Sequence, residues 1–361
     1  MIRLIIDEGN APPKTGIGAY GASLREALRL YAGGDVTLAQ ASASWTGTNF
    51  RPLRRVVHTL RLNHLRRTGF DGANVVHFTN YYVPRRRKEA AYVATVHDLD
   101  PLLLPGVHSR RHTSYFNTVI RSTVARSHIL IAVTEMVRQD LLELFNLDPS
   151  SVTVAGQGVS SEFRLLADAT ERTFPDIPTL LYVGLINAKK NSPWLVSTVI
   201  HGVRSGALPR LRLILAGHPG VQFAEVRRGL KDAPDIVRWV NGPSLPELVA
   251  LYSSCTAVVL PSLREGFGRP LLEGMYCGKA IVASRIPSSV EVAQESASYF
   301  DVGNSEAFYE AVREAIAGTH NERQMTCAAG RLRHYSWERL AGTYVSIYRA
   351  AVERCSFQMN S

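Results

Sequence analysis

Short apolar runs alternate with amphipathic stretches along the whole chain. Eleven runs of five to eight residues have the continuous apolar character of a strand buried on both faces, among them 3–7, 91–98 and 179–184. Strands of this kind that alternate with helices are typical of parallel sheets covered on both faces. The pattern therefore predicts an α/β fold with doubly wound parallel sheets. The helical stretches between the runs include 17–31, 135–145, 192–205, 245–254 and 305–318.

One polar segment, 165–178, interrupts the alternation, which restarts after it. A chain of 361 residues also exceeds what one ordinary α/β core requires. We therefore predict two doubly wound domains, an amino-terminal one over 1–168 and a carboxy-terminal one over 169–340. Ligands of such sheets bind beyond the carboxyl ends of the strands, so a cleft between the domains is the expected site.

The composition, 45% hydrophobic and 20% charged, indicates a globular protein. The four cysteines form no C-x-x-C pair, which argues against zinc and against a disulfide framework. No apolar run reaches the roughly 20 residues of a membrane span, and the amino terminus lacks the regions of a signal peptide. These features predict a cytoplasmic protein.

The net charge of +10 is unevenly distributed. Residues 50–126 contain fourteen Lys and Arg against four Asp and Glu, an excess that equals the charge of the whole chain. Basic clusters at 51–67 and 84–88 suit anionic lipid head groups, nucleic acid or a phosphorylated substrate, or are a solvated face. Apolar positions within 51–67 recur with near-helical spacing, as in a basic amphipathic helix at a membrane surface or in an Arg-rich helix packed on a core.

A glycine-rich stretch, "TGIGAYG", places Gly16, Gly18 and Gly21 in the spacing of a dinucleotide-binding fingerprint. That fingerprint requires the strand to enter the turn directly and a carboxylate at the end of the second strand. Here 8–14, with two prolines, intervenes, and Asp35 lies at the start of the second strand. The dinucleotide fingerprint therefore fails on its context, which leaves a dehydrogenase as a weakened alternative. What remains is a glycine loop before a helix, which either offers N–H groups to an anion or serves only as a turn.

The segment 261–284, "PSLREGFGRPLLEGMYCGKAIVAS", combines two glutamates with a glycine loop. Glu265 falls in the loop and Glu273 in the first turn of a short helix, eight positions later. One carboxylate can contact a sugar hydroxyl while the other accepts both hydroxyls of a ribose. Gly266 and Gly268 allow close backbone approach to a ligand, next to a helix amino terminus that favours phosphate.

This arrangement of Glu, seven residues and Glu around Gly-Phe-Gly resembles the signature of retaining GT-B glycosyltransferases of the family-4 group. The resemblance extends over nearly the whole chain. It implies the two-domain GT-B architecture, with the last residues, 341–361, forming a helix that packs back on the first domain. The other matching motifs are "TGIGAY", "TVHDL" (95–99), "AVTEMVRQDL" (132–141), "LYVGLINAKKN" (181–191) and "RIPSSVEVA" (285–293).

The resemblance also implies roles for individual residues. Glu273 corresponds to the ligand of the donor ribose and Lys190 to the lysine on the donor diphosphate. Leu185 stands where an arginine is usual, and Lys189 either compensates for it or is a solvated neighbour. The implied catalytic residues are His97, Glu265 and Lys190, and the implied donor-binding residues are Gly16, Gly18, Lys189, Gly266, Phe267, Gly268 and Glu273.

Further polar residues have two interpretations each. Arg269 is a phosphate or acceptor contact, or a surface residue. Asp98 and Asp100 form the Asp-x-Asp of the GT-A fold, but that fold accounts neither for two α/β domains nor for 261–284, so no metal is expected. The residues that either line the acceptor side or pack in the core are His77, Tyr81 and Tyr82.

The expected activity is retaining transfer of a hexose from a nucleotide-sugar, without metal or resident cofactor, to a lipid-linked or polysaccharide acceptor. The motif versions resemble those of mannosyltransferases that build surface polysaccharides, which favours GDP-mannose over a UDP-sugar. A nucleotide- or nucleic-acid-binding protein is the weaker alternative, because no RNA-binding motif accompanies the arginines. The basic region 51–126 would place the enzyme on the inner face of the membrane.

Overall fold

The computed structural model describes residues 1–7, 16–39, 72–104, 106–173, 175–220, 223–318 and 322–360. The chain divides into two compact units. The amino-terminal unit comprises Met1–Gly158 and Tyr335–Ser361, and the carboxy-terminal unit comprises Val159–His334. Within the described ranges, each unit contains one six-stranded sheet in which every pairing is parallel. The predicted α/β class with two parallel sheets is confirmed.

The sheet of the amino-terminal unit has the strand order β2-β1-β3-β4-β5-β6. Its strands are β1 (Ile2–Asp7), β2 (Val36–Leu38), β3 (Val75–Phe78), β4 (Ala91–Val96), β5 (Ile129–Ala132) and β6 (Val152–Val154). Its helices are α1 (Gly16–Tyr31), α2 (Asp100–Leu103), α3 (Arg110–Arg126), α4 (Glu135–Phe145) and the last helix of the chain, α13 (Trp337–Asn360).

The core of this unit includes residues from both ends of the chain. Helix α13 packs on α1, β3 and β4. Its Trp337, Tyr344 and Tyr348 are buried in the same apolar cluster as Leu4 and Leu24. Aromatic side chains of this size contribute strongly to burial, so α13 is an integral part of the amino-terminal core.

The sheet of the carboxy-terminal unit has the order β12-β11-β10-β7-β8-β9. Its strands are β7 (Thr179–Val183), β8 (Arg212–Ala216), β9 (Val237–Val240), β10 (Ala257–Leu260), β11 (Ala280–Ser284) and β12 (Ser298–Phe300). Its helices are α5 (Ser161–Ala169), α6 (Ser192–Ser205), α7 (Phe223–Asp232), α8 (Leu245–Ser254), α9 (Arg269–Tyr276), α10 (Pro287–Ala293), α11 (Ser305–Ile316) and α12 (Glu322–His334).

The order of these strands places a topological switch point between β7 and β10. Strands β8 and β9 are added on one side of β7, whereas β10, β11 and β12 extend the sheet on the other. The loops that follow β7 and β10 therefore leave neighbouring strands at the same edge of the sheet. In doubly wound sheets this edge is where ligands bind.

Local sequence signals account for several helix ends. Ser244 and Glu247 form a capping box at the start of α8, and Ser160 accepts a hydrogen bond from the Phe163 amide at the start of α5. Gly206 ends α6 with a φ of +81°, a conformation that glycine adopts without strain.

The glycine stretch agrees with one of its two interpretations. Helix α1 begins at Gly16, one residue before the predicted helical stretch 17–31, so Gly16, Gly18 and Gly21 lie in its first turns and not in a loop before it. A helix can include these glycines, because each one lowers helix stability by only about 1 kcal/mol relative to alanine. The predicted amphipathic segment 51–67 and the proline segment 8–14 lie outside the described residues.

Candidate active site

The loops after β7 and β10 are joined by a backbone hydrogen bond. The amide of Leu263, after β10, donates to the carbonyl of Lys189, after β7, at 3.0 Å. Within the first loop, the Lys190 amide donates to Asn187 Oδ1 at 2.9 Å. These bonds hold Lys189 and Lys190, in the loop after β7, against the loop after β10 that contains Glu265.

Lys190 and Glu265 form an ion pair across these loops. The Lys190 ammonium contacts both carboxylate oxygens, with Nζ 2.6 Å from Oε2. Ser262 Oγ donates to Oε1 at 2.5 Å. Burial by itself would raise the pKa of Glu265, but the positive charges of Lys190 and Lys189 and these hydrogen bonds outweigh it and hold the pKa below its ordinary value. Glu265 is therefore an ionised carboxylate at neutral pH, although only 5% exposed.

Glu273 has a different pair of partners. Tyr252 of α8 donates its hydroxyl hydrogen to Oε2 at 2.7 Å, and Arg269 donates from Nη2 to Oε1 at 2.8 Å. Burial and the charge of Glu273 raise the pKa of Tyr252 well above its ordinary value, so Tyr252 is a neutral donor. The structure thus gives each glutamate of the signature its own basic partner.

The glycine loop between the glutamates is tightly packed. Gly268 precedes α9 with a φ of +85°, and a Cβ there would lie 3.1 Å from Leu271 and 3.2 Å from Leu260. Gly266 and Phe267 are buried beside it. Glycine suits this position because it adopts a positive φ without strain and has no Cβ to crowd the two leucines.

The two carboxylates differ in the hydrogen bonds they have left to accept. An ionised carboxylate has about four acceptor positions, two on each oxygen. Within the described ranges, Glu265 uses both positions of Oε1, for Lys190 and Ser262, and one of Oε2. Glu273 uses one position on each oxygen. Glu265 can therefore accept one more hydrogen bond, and Glu273 can accept one on each oxygen.

The amino-terminal unit carries the other predicted site residues. His97 follows β4, is half-buried, and has Nε2 3.0 Å from the Thr79 carbonyl oxygen. Tyr81 and Tyr82 are half-buried after β3, and the Tyr81 ring packs edge-on against Phe116. The Tyr81 hydroxyl also donates to the Asp98 carbonyl oxygen at 3.4 Å.

His77 lies in the interior of this unit. Its Nδ1 is 2.8 Å from the Tyr348 hydroxyl, its Nε2 is 2.8 Å from Thr95 Oγ1, and none of it is exposed. Burial, reinforced by the charge of His97, lowers the pKa of His77 to about 3. The geometry gives His77 packing and hydrogen-bonding partners inside the core, and no surface that an acceptor can touch.

Sequence reasoning missed Tyr252 and Ser262. Tyr252 lies 21 residues before its partner on another helix, so no local spacing connects the two. Ser262 is three residues before Glu265. This short spacing could have predicted a hydrogen bond between the serine hydroxyl and the carboxylate. The ion pair of Arg269 with Glu273 has the i,i+4 spacing of helix surface pairs.

Two further observations concern metal and membrane. In the described part of the chain, no three His, Cys, Asp or Glu side chains group closely enough to hold a metal ion. None of the helices in those ranges has both the length and the apolar character of a membrane span.

Two family models match successive parts of the chain. The model for Glycosyltransferase Family 4 matches residues 22–163, and that for Glycosyl transferases group 1 matches residues 177–317. The second match contains both signature glutamates and both loops at the switch point.

The chain is also similar to curated glycosyltransferases. It is 24% identical to O-antigen chain mannosyltransferase B of Escherichia coli, covering 93% of this chain and 96% of the relative. It is 25% identical to O-antigen chain mannosyltransferase RfbU of Salmonella typhimurium, covering 74% and 69%. A D-inositol 3-phosphate glycosyltransferase of Stackebrandtia nassauensis is 29% identical over 64% of this chain and 56% of its own length.

Solved structures share the fold. A sucrose-phosphate synthase from Thermosynechococcus elongatus has a TM-score of 0.71 at 16% identity, covering 96% of this chain and 98% of that one. WaaG, a glycosyltransferase involved in lipopolysaccharide biosynthesis, has a TM-score of 0.66 at 14% identity, covering 96% and 99%. Together with the family matches and the paired glutamates, these similarities identify the chain as a glycosyltransferase of the GT-B fold that belongs to the family-4 group.

Proposed function

We propose that the chain transfers a hexose from a nucleotide diphosphate donor with retention of anomeric configuration, and that the carboxy-terminal unit holds the donor. The observation that carries this proposal is the difference in acceptor positions between the glutamates. Glu273 has one position left on each oxygen, which matches the two adjacent hydroxyls of a ribose. Glu265 has one left, on Oε2, which matches a single hydroxyl of the transferred sugar.

The charges around these glutamates suit a diphosphate. Lys190 neutralises Glu265 and Arg269 neutralises Glu273, so neither carboxylate repels the donor as an unpaired charge. An ammonium has three donors, and Lys190 uses two on Glu265, which leaves one for a phosphate oxygen. Lys189 adds a positive charge that acts on Glu265, and it is our candidate for the second phosphate contact, since Leu185 has no charge.

In the proposed reaction the bond from the anomeric carbon to the diphosphate oxygen breaks. The acceptor hydroxyl oxygen bonds to that carbon from the same face, and its proton passes to the departing diphosphate oxygen. Lys190 stabilises the negative charge that develops on the leaving group. His97 contacts the transferred sugar, and Gly16 and Gly18 contribute backbone to phosphate binding. No metal or resident cofactor is required.

The sugar and acceptor are proposed from the relatives. Both O-antigen enzymes are named as mannosyltransferases, which favours mannose, from GDP-mannose, and a lipid-linked or polysaccharide acceptor for this chain. A UDP-sugar is the alternative donor. Tyr81 and Tyr82 are the proposed acceptor contacts. The exposed Arg85, Lys88 and Arg110 suit an anionic membrane surface, which supports our proposal that the enzyme works on the inner face of the membrane.

A donor panel tests the proposal. GDP- and UDP-sugars are screened by thermal stabilisation and then for transfer or hydrolysis in the presence of EDTA. We expect one nucleotide class to stabilise the protein and to be turned over, with the product anomer, identified by NMR, matching that of the donor. Absence of binding and turnover with every sugar-nucleotide overturns the proposal, and salt-sensitive RNA binding alone would favour the nucleic-acid alternative.

Deoxynucleotides then test the ribose assignment. Removal of the ribose 2′- or 3′-hydroxyl from the preferred nucleoside diphosphate should weaken its binding by about 10- to 100-fold, because a hydrogen bond to a charged group is lost. In Glu273→Gln the same removal should have a much smaller effect. Equal penalties in the two proteins would place the ribose elsewhere.

A further inference from the structure

A buried chain of hydroxyl groups crosses the amino-terminal unit from α13 to β4. The Tyr344 hydroxyl lies 2.8 Å from that of Tyr20 on α1, which lies 2.9 Å from Thr95 Oγ1 on β4. The side chains are fully or almost fully buried. Burial strengthens these bonds relative to bonds in water, and each hydroxyl is held by its protein partners.

The direction of every hydrogen bond in this chain follows from one end. Tyr344 donates to the carbonyl oxygen of Gly156 at 3.1 Å, and a carbonyl only accepts. Since Tyr344 has one hydrogen, it must accept from Tyr20, and Tyr20 in turn must accept from Thr95. Thr95 then accepts from Nε2–H of His77, which agrees with the neutral state that burial imposes on that ring. The hydroxyl of Tyr20 is therefore fixed in position and in polarity.

The ring of Tyr20 meets the ring of His97. Their centroids are 5.0 Å apart and their planes are 85° apart, an edge-to-face arrangement. His97 Nε2 lies 3.0 Å from the Thr79 carbonyl oxygen, so this nitrogen carries the hydrogen. Thr79 is fully buried and its amide donates to the Asp7 carbonyl, so the acceptor of His97 is itself fixed.

We propose that Tyr20 is a positioning residue for His97, and that the hydroxyl chain from Tyr344 keeps the Tyr20 ring in contact with it. This inference rests on the proposed function only in that His97 lies beside the transferred sugar. Tyr20 contacts no substrate. It restricts the imidazole to one orientation, in which Nε2 remains the protonated nitrogen, and burial of His77 keeps a second positive charge away from that ring.

Kinetics of three variants test the inference. Tyr20→Leu removes the ring and the hydroxyl and should lower kcat by about tenfold. This factor corresponds to about 1.4 kcal/mol, the size of the interaction energy of an aromatic pair. The KM for the donor should stay within about twofold, because the side chains proposed to bind the ribose and the diphosphate are in the other unit. Tyr20→Phe keeps the ring and should retain most of kcat. Tyr309→Leu is the matched control, since this buried tyrosine donates to the Thr198 carbonyl and should cost stability without changing kcat.

A ring measurement makes the test independent of turnover. In ¹⁵N NMR spectra, with His97 assigned by His97→Gln, neutral His97 should show the single Nε2–H tautomer in the wild type and a mixture in Tyr20→Leu. Should Tyr20→Leu not fold, Tyr344→Phe removes the acceptor of Tyr20 with little change in volume and should shift the same signals. Wild-type kcat together with unchanged His97 signals in the folded variant overturns the inference. A wild type that turns over no nucleotide-sugar overturns the proposed function and leaves the ring measurement standing.

Discussion

Tyr252 and Glu273 lie on different helices and share a buried hydrogen bond, 2.7 Å from the tyrosine oxygen to Oε2 of the carboxylate. Arg269 holds the other oxygen at 2.8 Å. The carboxylate is thereby fixed at both ends before a donor arrives. Preorganisation of this kind reduces the conformational entropy that binding must remove.

Loss of the Tyr252 hydroxyl should therefore weaken donor binding. In Tyr252→Phe, Arg269 still holds Oε1 but Oε2 loses its anchor, and we expect the Kd for the nucleoside diphosphate to rise by about tenfold. Isothermal titration calorimetry measures this. Tyr309→Phe is the control in the same unit, because it also removes a buried hydroxyl donor. An equal change in Kd for both variants would contradict the role of Tyr252.

Removal of Lys190 should destabilise the carboxy-terminal unit. Lys190→Met leaves the buried carboxylate of Glu265 without its main counter-charge, a change that typically costs about 3–5 kcal/mol. The double variant Lys190→Met/Glu265→Gln should recover much of that loss, since no charge is then buried. Urea unfolding at pH 7 compares the three proteins.

The pH dependence of the same pair has a definite sign. In the wild type the pKa of Glu265 is lowered on folding, so its contribution to stability is present above the ordinary pKa of 4.5 and is lost as the pH falls through the folded value. In Lys190→Met burial dominates and raises this pKa, so the variant should lose stability as the pH rises above 4.5. A Lys190→Met penalty that is the same at pH 4 and pH 7 would contradict the ion pair.

Replacement of Gly268 by alanine should cost more stability than the same replacement at Gly303, a glycine with nearly the same φ. Gly268 and Gly303 have φ values of +85° and +84°, but only at Gly268 does a Cβ meet neighbouring atoms, at 3.1 and 3.2 Å. Gly303→Ala therefore measures the cost of the conformation alone, roughly 1 kcal/mol. Gly268→Ala should cost more and should also weaken donor binding, as followed by thermal unfolding with and without nucleotide. Equal costs and unchanged binding would show that the loop has room to adjust.

His77 should make the amino-terminal unit less stable in mild acid. The pKa of His77 is about 3 in the folded protein, whereas its ordinary value is 6.5. Between pH 3 and pH 6.5 the unfolded chain therefore binds a proton at His77 that the folded protein does not. Its contribution is complete above pH 6.5 and decreases as the pH falls towards 3, by about 2 kcal/mol between pH 7.5 and pH 5. His77→Gln should lack this part of the slope in urea unfolding. NMR signals of the wild-type ring that titrate near pH 6.5 would refute the buried, neutral state.

Much of the fold could be predicted because its signal is local. Helices α4, α6 and α8 have the predicted bounds, and eleven of the strands coincide with apolar runs. The exception, β12, is three residues long and two of them are half-buried, so no continuous apolar run marks it. Helix α3 is not among the helical stretches named above, and its mean hydropathy is low.

The sequence was enough to predict which residues belong to the candidate site, but not which of them contact one another. Resemblance indicated Lys190, Glu265 and Glu273 separately. Their partners depend on which strands are neighbours, because Lys190 and Glu265 are 75 residues apart and meet only where β7 lies beside β10. The pairing of Tyr252 with Glu273 likewise requires the packed unit.

The placement of α13 in the amino-terminal core has a consequence for synthesis on the ribosome. Trp337 and Tyr344 complete that core, yet they are translated after every residue of the carboxy-terminal unit. The usual order, in which the first domain to emerge folds first, is therefore reversed. The unit that carries Glu273 is contiguous and can fold during elongation, whereas the unit made first cannot complete its core until the last helix, which packs on β3 and β4, has left the exit tunnel.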